Sequence, residues 1–331
     1  MLGLALRPVT AQSTCDFALS AFQQHQWTQA AAAYSDCEKN SPGKTDALLF
    51  RAKALVNLAD YEGAAENLAT YVAQHPQSDD ALYLLGYVRF RQDQPRESLA
   101  TFARAAKVRP PQASDLKIAA LDYALLNDYA DAARYLEQSL AMNPADDEAR
   151  YHLGRVRYQQ NKFDLAIAAF RVVLQREPNN LKAHNNLGLC LEAKEQTSAA
   201  IAEYRAAIDL DEKSTEHTEQ PYLNLGKLLN TLNRPQEAAA ALTEAIRITP
   251  TSASGHYELG RAQFSLDHLE EARSELQKAV NLAPQNSSVH YLFGRVLSRL
   301  GKADEAAAEF KQTENLIHQK NAKTGGMGPA Q

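Results

Sequence analysis

Four tyrosines, Tyr83, Tyr151, Tyr257 and Tyr291, share one place in a recurring frame, and Tyr87, Phe90 and Tyr158 accompany them. Five cations, Lys53, Arg155, Lys227, Arg261 and Arg295, share another. Tyrosine brings large contact area at low entropic cost and arginine brings a planar fork for carboxylates, so the two rows point to capture of an acidic segment. The alternative is internal: Arg stacked on Tyr, or paired with local Asp and Glu, between neighbouring units. Asn185, Asn186 and Asn224 add paired donors and acceptors able to clamp a peptide backbone. His256 and His290 lie one period apart, but no carboxylate or cysteine joins them at ligand spacing, so packing is preferred to a metal. The chain has no phosphate-binding loop, dinucleotide fingerprint, nucleophile elbow or H-E-x-x-H helix. The expectation is a non-enzymatic protein without cofactor or metal.

The elements that must position these rows follow from a period. Pro42, Pro76, Pro110, Pro144 and Pro178 are 34 residues apart, and Pro250 and Pro284 repeat the step. In the same frame recur the small residues Ala30, Ala64, Ser98, Ala132, Ala166, Ala200, Ala238, Ala272 and Ala306, each followed four residues on by a large apolar side chain such as Leu68, Phe102, Phe170, Tyr204 or Leu276. The i, i+4 step predicts a helix. An earlier helix in each unit carries a second small residue, among them Gly86, Gly188, Gly226, Gly260 and Gly294. Glycine costs about 1 kcal/mol in a helix interior. Its return at one register therefore predicts a close helix crossing.

These positions resemble the tetratricopeptide repeat, a 34-residue helix-turn-helix unit. Nine units starting near 11, 45, 79, 113, 147, 181, 219, 253 and 287 account for residues 11–320. The resemblance implies an all-α, right-handed superhelical solenoid whose concave groove accepts a partner's extended segment or helix. In that frame the tyrosines, cations and asparagines named above fall on the groove side of the first helix of each unit. The family's clamp for acidic C-terminal tails needs an ordered Lys, Asn, Asn, Lys and Arg over three units, and no window here has that order. Cys15 and Cys37 would meet across the first helix pair, making a disulfide plausible in an oxidising compartment. Cys190 reads as a buried thiol and Trp27 as filler at a turn.

Residues 1–10 resemble the end of a signal peptide or a disordered start. This points to a periplasmic or secreted protein, with a cytoplasmic location as the alternative. A formal charge of -5 gives no field for bulk nucleic-acid binding. No segment is apolar enough to span a membrane. Four residues inserted near 211–218 predict a longer, charged, solvated turn, and residues 321–331 a flexible tail. The expected function is a protein-interaction scaffold for an acidic or extended segment. Self-association into a homo-oligomer, or accessory binding of a glycan polymer, are the alternatives.

Overall fold

The computed structural model describes residues 11–40 and 46–325. Among these, every regular element is an α-helix. Two compact units divide the chain, residues 1–162 and 163–331. The first holds α1 (Ala11–Gln23), α2 (Trp27–Asn40), α3 (Asp46–Asn57), α4 (Tyr61–Gln74), α5 (Asp79–Arg91), α6 (Pro95–Ala105), α7 (Ala113–Leu125), α8 (Tyr129–Met142) and α9 (Asp147–Gln159). The second holds α10 (Phe163–Arg176), α11 (Leu181–Ala193), α12 (Thr197–Asp211), α13 (Gln220–Thr231), α14 (Pro235–Ile248), α15 (Ala253–Ser265), α16 (Leu269–Leu282), α17 (Ser287–Arg299) and α18 (Ala303–Gly325). The all-helical repeat architecture read from the 34-residue period is the one observed.

The recurring glycines mark the close crossings. A Cβ on Gly226 would lie 2.4 Å from Leu242, and one on Gly188 2.6 Å from Tyr204. Each glycine therefore seats the large side chain that follows the small residue of the next helix. Those seated residues form the core: Leu68, Leu136, Phe170, Tyr204, Leu242 and Leu276 are all fully buried.

The tight turns inside each pair use a rule that the sequence patterning did not expose. His25, Ala59, Asp93, Asn127, Asn161, Glu195, Asn233 and Asp267 all have φ between 55 and 66°, and Gly301 has 76°. All nine occupy one frame position. Each lets the next N–H donate back to a carbonyl of the ending helix, as in Asp60 to Leu55 (2.9 Å) and Arg234 to Leu229 (2.9 Å), which closes the helix end. A non-glycine residue there costs roughly 1–2 kcal/mol. Packing of the two helices that it allows offsets the strain.

Within each unit the first helix of a pair touches the first helix of the next. In the first unit α1 meets α3, α3 meets α5, α5 meets α7 and α7 meets α9; in the second α11 meets α13, α13 meets α15 and α15 meets α17. Inside either unit, second helices of successive pairs do not touch among the described residues. The first helices thus form the closely spaced wall of each unit, and that wall carries the candidate residues.

Two sequence expectations gain detail, and so does one small-residue position. The inserted turn is exposed over 212–217, but it hangs on the fully buried carboxylate of Asp211. That carboxylate accepts hydrogen bonds from the Thr218 N–H (2.8 Å) and the Tyr222 hydroxyl (3.3 Å). The last helix runs on to Gly325, so residues 321–325 are helical. Ser98 fills a small-residue position with its hydroxyl donating to the Gly86 carbonyl at 2.9 Å. Pro42, residues 1–10 with their leader reading, and residues 326–331 lie outside the described residues.

Candidate functional site

The first-unit wall does not keep all its predicted tyrosines available. Tyr83 is buried, its hydroxyl donating to the Arg109 carbonyl (2.7 Å) while the Arg109 guanidinium lies 4.3 Å from its ring centre. It is inter-repeat packing, and it leaves the candidate surface because the loop before α7 covers it. Tyr87 is half-buried and accepts a hydrogen bond from Arg91 (2.7 Å), whose guanidinium also stacks 4.4 Å over Tyr61. Tyr151 and Tyr158 are half-buried on α9. Lys53 is spent locally on Asp80 (3.4 Å) and lies over the Phe50 ring.

Arg155 differs. It is exposed on α9, with no carboxylate in ion-pair range among the described residues. Beside it opens a concavity of about 490 Å³ between α5, α7 and α9. Phe90, Leu121, Leu125 and Val156 provide much of its apolar surface, while Arg91, Asp93, His152, Arg155 and Gln159 provide its polar one. Leu125 is 52% exposed, unusual for a leucine on a wall of tightly packed helices. Burial, reinforced by the Arg155 charge, pushes the His152 imidazole down to about 4. At neutral pH the positive charge at the rim is therefore carried by the arginines.

Sequence patterning missed Leu121, Leu125 and His152. Leu121 stands at the frame position that carries Arg155 in the next repeat, so a leucine interrupting a basic column was the available signal. It also missed Asp122. The equivalent positions hold Val88, Val156 and Cys190, yet Asp122 is a fully buried carboxylate with neither oxygen hydrogen-bonded. Burial raises it to about 7, with Ser98 opposing the shift.

In the second unit Asn185 is buried and accepts a hydrogen bond from the Asn224 side-chain amide (3.0 Å), so these two clamp each other. Asn186 is half-buried and donates to the Lys182 carbonyl of its own helix (2.7 Å). Asn185 therefore leaves the set of groups open to a partner. Arg261 pairs with Glu258 (3.3 Å), which also accepts from Asn230 (3.0 Å). Tyr257 is half-buried, and burial raises its phenol. Tyr291 and Arg295 are exposed, with Arg295 5.1 Å from the Phe264 ring centre and 5.9 Å from that of Tyr291. Lys227 is half-buried on α13, without a carboxylate in ion-pair range. Lys53, Tyr83 and Arg261 are thus engaged within the chain, while Arg155, Tyr291 and Arg295 are exposed and Lys227 is half-exposed.

His256 and His290 are more than simple filler. Each sends Nδ1 to a glutamate, Glu275 or Glu309 (2.6 Å), and Nε2–H to a proline carbonyl of the preceding turn, Pro250 or Pro284 (3.0 Å). His184 repeats the arrangement with Glu203 (2.6 Å) and Pro178 (3.0 Å). Among the described residues no group of three His, Cys, Asp or Glu could hold a metal. Cys15 and Cys37 are placed as a disulfide, with Cα atoms 5.0 Å apart. Cys190 is buried, which pushes its thiol up to about 12. Trp27 packs edge-on against Phe22 (5.2 Å between ring centres). No helix among the described residues is long and apolar enough to cross a membrane.

Two family models, both described as tetratricopeptide repeat, match the chain, one over residues 49–115, 119–180 and 153–215, the other over 231–292. BBSome complex member BBS4 of Bos taurus is 23% identical over 251 residues, covering 74% of this chain. The chain spans 46% of the length of that curated relative. Among solved structures, the APC/C hetero-tetramer Cut9-Hcn1 aligns over 88% of this chain and 57% of its own, with a TM-score of 0.60 at 16% identity. The C-terminal part of a TPR repeat-containing protein from Cytophaga hutchinsonii aligns over 74% of this chain and 98% of its own, with a TM-score of 0.58 at 17% identity. At these identities the structural likeness establishes the fold alone.

Proposed function

This chain belongs to the tetratricopeptide repeat family, and from that premise we propose that it is a protein-binding scaffold whose first-helix walls capture an extended, acidic segment of a partner. The observation that carries the reading is the set of wall cations without an internal carboxylate: Arg155 in the first unit, Lys227 and Arg295 in the second. A cation left unpaired on a packed surface is available to an incoming carboxylate, and arginine offers two parallel hydrogen bonds to it. Tyr291, half-exposed beside Arg295, supplies contact area of the kind that dominates interface energetics.

The repeat frame accounts for every helix described, which supports a scaffold in preference to an enzyme. The placement of Cys15 and Cys37 as a disulfide supports an oxidising location, periplasmic or secreted. The BBSome membership of the Bos taurus relative agrees with a scaffold in kind, without identifying a partner.

The test is affinity capture from the source organism's extract with the wild-type chain and with Arg155→Glu, Lys227→Glu and Arg295→Glu combined. The expected result is a partner with an acidic segment, retained by the wild type and lost by the variant. An unchanged set of captured proteins would mean that the cations serve the chain itself.

A further inference from the structure

The concavity between α5, α7 and α9 has a composition that a purely electrostatic groove does not need. Its apolar lining includes Phe90, Leu121 and Leu125, and its charged lining is Arg91, Arg155 and the single carboxylate of Asp93, which leaves the cations in excess. Neither arginine has a carboxylate in ion-pair range among the described residues. Arg91 is held instead by neutral groups, the Tyr87 hydroxyl at 2.7 Å and the Tyr61 ring at 4.4 Å, so its guanidinium is fixed in place while its charge stays uncompensated inside the chain. Elsewhere on the same wall cations are neutralised locally, as Lys53 is by Asp80 and Lys117 by Asp146 (3.1 Å) and Glu148 (2.6 Å). Uncompensated charge and an exposed leucine therefore coincide at one place.

A volume of about 490 Å³ falls in the range of sites that bury most of a bound group, roughly 300–1,000 Å³. It accommodates one large apolar side chain with a stretch of backbone, and is small for a whole helix. We propose that this site takes an internal segment of a partner protein in which an aliphatic or aromatic residue is flanked by Asp or Glu: the apolar side chain sits on Leu121 and Leu125, and the carboxylate pairs with Arg155 and Arg91. The proposal rests on the scaffold reading above and specifies the partner chemistry of one site within it. The contribution from Leu125 is hydrophobic burial, and that of Arg155 is a charge-assisted bond strengthened by the water that the leucine excludes.

Selection of short random peptides, displayed between Gly-Ser flanks so that no terminus is free, on the full-length chain tests this. Enriched sequences are expected to place Leu, Ile, Met or Phe within two residues of Asp or Glu. A synthetic peptide of the winning sequence should bind about tenfold or more weakly to Leu125→Asp and to Arg155→Glu. It should bind unchanged to Met142→Asp, which alters an equally exposed apolar residue on a second helix. Circular dichroism melting establishes that the variants fold; if Leu125→Asp does not, Leu125→Ser takes its place with the same expectation. Acidic winners that lack an apolar residue and ignore the Leu125 change, while still losing affinity in Arg155→Glu, overturn the pocket and leave the scaffold reading standing. Winners indifferent to both changes overturn the pocket proposal, and failure to enrich any peptide overturns both.

Discussion

The two units connect successive repeats at one frame position with opposite chemistry. In the first unit that position holds Leu48, Leu82 and Leu116, all buried and apolar. In the second it holds His184, His256 and His290, each tied to a glutamate and to a proline carbonyl of the preceding turn, and Tyr222, whose hydroxyl donates to Asp211. Arg150 in the first unit makes the intermediate choice, donating to the Pro144 carbonyl at 2.7 Å. The frame thus accepts a leucine, a hydrogen-bonded tyrosine, a histidine with both ring nitrogens hydrogen-bonded, or at Arg150 a half-buried guanidinium whose Nε has no partner among the described residues. Asp122 of the first unit departs further, because its carboxylate occupies an apolar position with only the Ser98 hydroxyl, already donated to the Gly86 carbonyl, to oppose the cost of burial.

The largest effect expected from this contrast lies at Asp122. Its folded carboxyl sits at about 7 against an ordinary 3.8, so the folded chain holds a proton that the unfolded chain has released across that interval. Stability must then fall as pH rises from about 4 to about 7, by about 4 kcal/mol in total. Asp122→Val, which copies Val88 and Val156, should recover most of that at pH 8 in urea unfolding followed by hydrogen exchange of α7, with the gain shrinking towards pH 4. A variant no more stable than wild type at pH 8 would show that a hidden partner satisfies the carboxylate.

Next in size is the tie between α1 and α2. Closing a loop of sequence separation 22 stabilises the terminal helix pair by about 3 kcal/mol in the chain-entropy account. Reduction should leave α7, α11 and α15 protected from exchange while α1 and α2 lose protection. Non-reducing mass spectrometry should find the Cys15–Cys37 linkage in material from an oxidising compartment, and free thiols there would remove this difference between the units.

The smallest effect concerns His184. Its hydrogen bond to Glu203 raises the imidazole above its ordinary value, against the opposing influence of burial. A raised folded value means that the stabilisation is complete below about pH 6.5 and is lost as pH rises through the folded value. Exchange protection in α11 and α12 should therefore drop between pH 6 and pH 8.5 in the wild type and lose that dependence in His184→Leu, which converts the position to first-unit chemistry. Equal pH dependence in both proteins would detach the histidine from the stability of the second unit.

Much of the fold was legible because it is local. Gly188, Gly226 and Gly294 recur with the large side chains they seat, and a period of 34 needs only the chain itself to be seen. The inner turns went unread although Asp, Asn or Gly holds their left-handed position in six of nine repeats, because His25, Ala59 and Glu195 interrupt the column. The candidate surface was half legible. Arg155, Tyr291 and Arg295 stand on the wall as their spacing required, but Tyr83 and Asn185 were lost to the groups that cover them, Arg109 and Asn224.

Sequence alone determined the helix pairs, their number along the repeat frame and the side of each first helix that carries tyrosine and arginine. Periodicity reports which residues share a face, and that is a property of one helix. Only the tertiary structure decided which cations are already neutralised, that Leu121 and Leu125 open into a concavity beside Arg155, and that Asp122 is buried without a hydrogen bond. Those outcomes depend on distances between helices brought together from different repeats, to which the spacing along a single helix is blind.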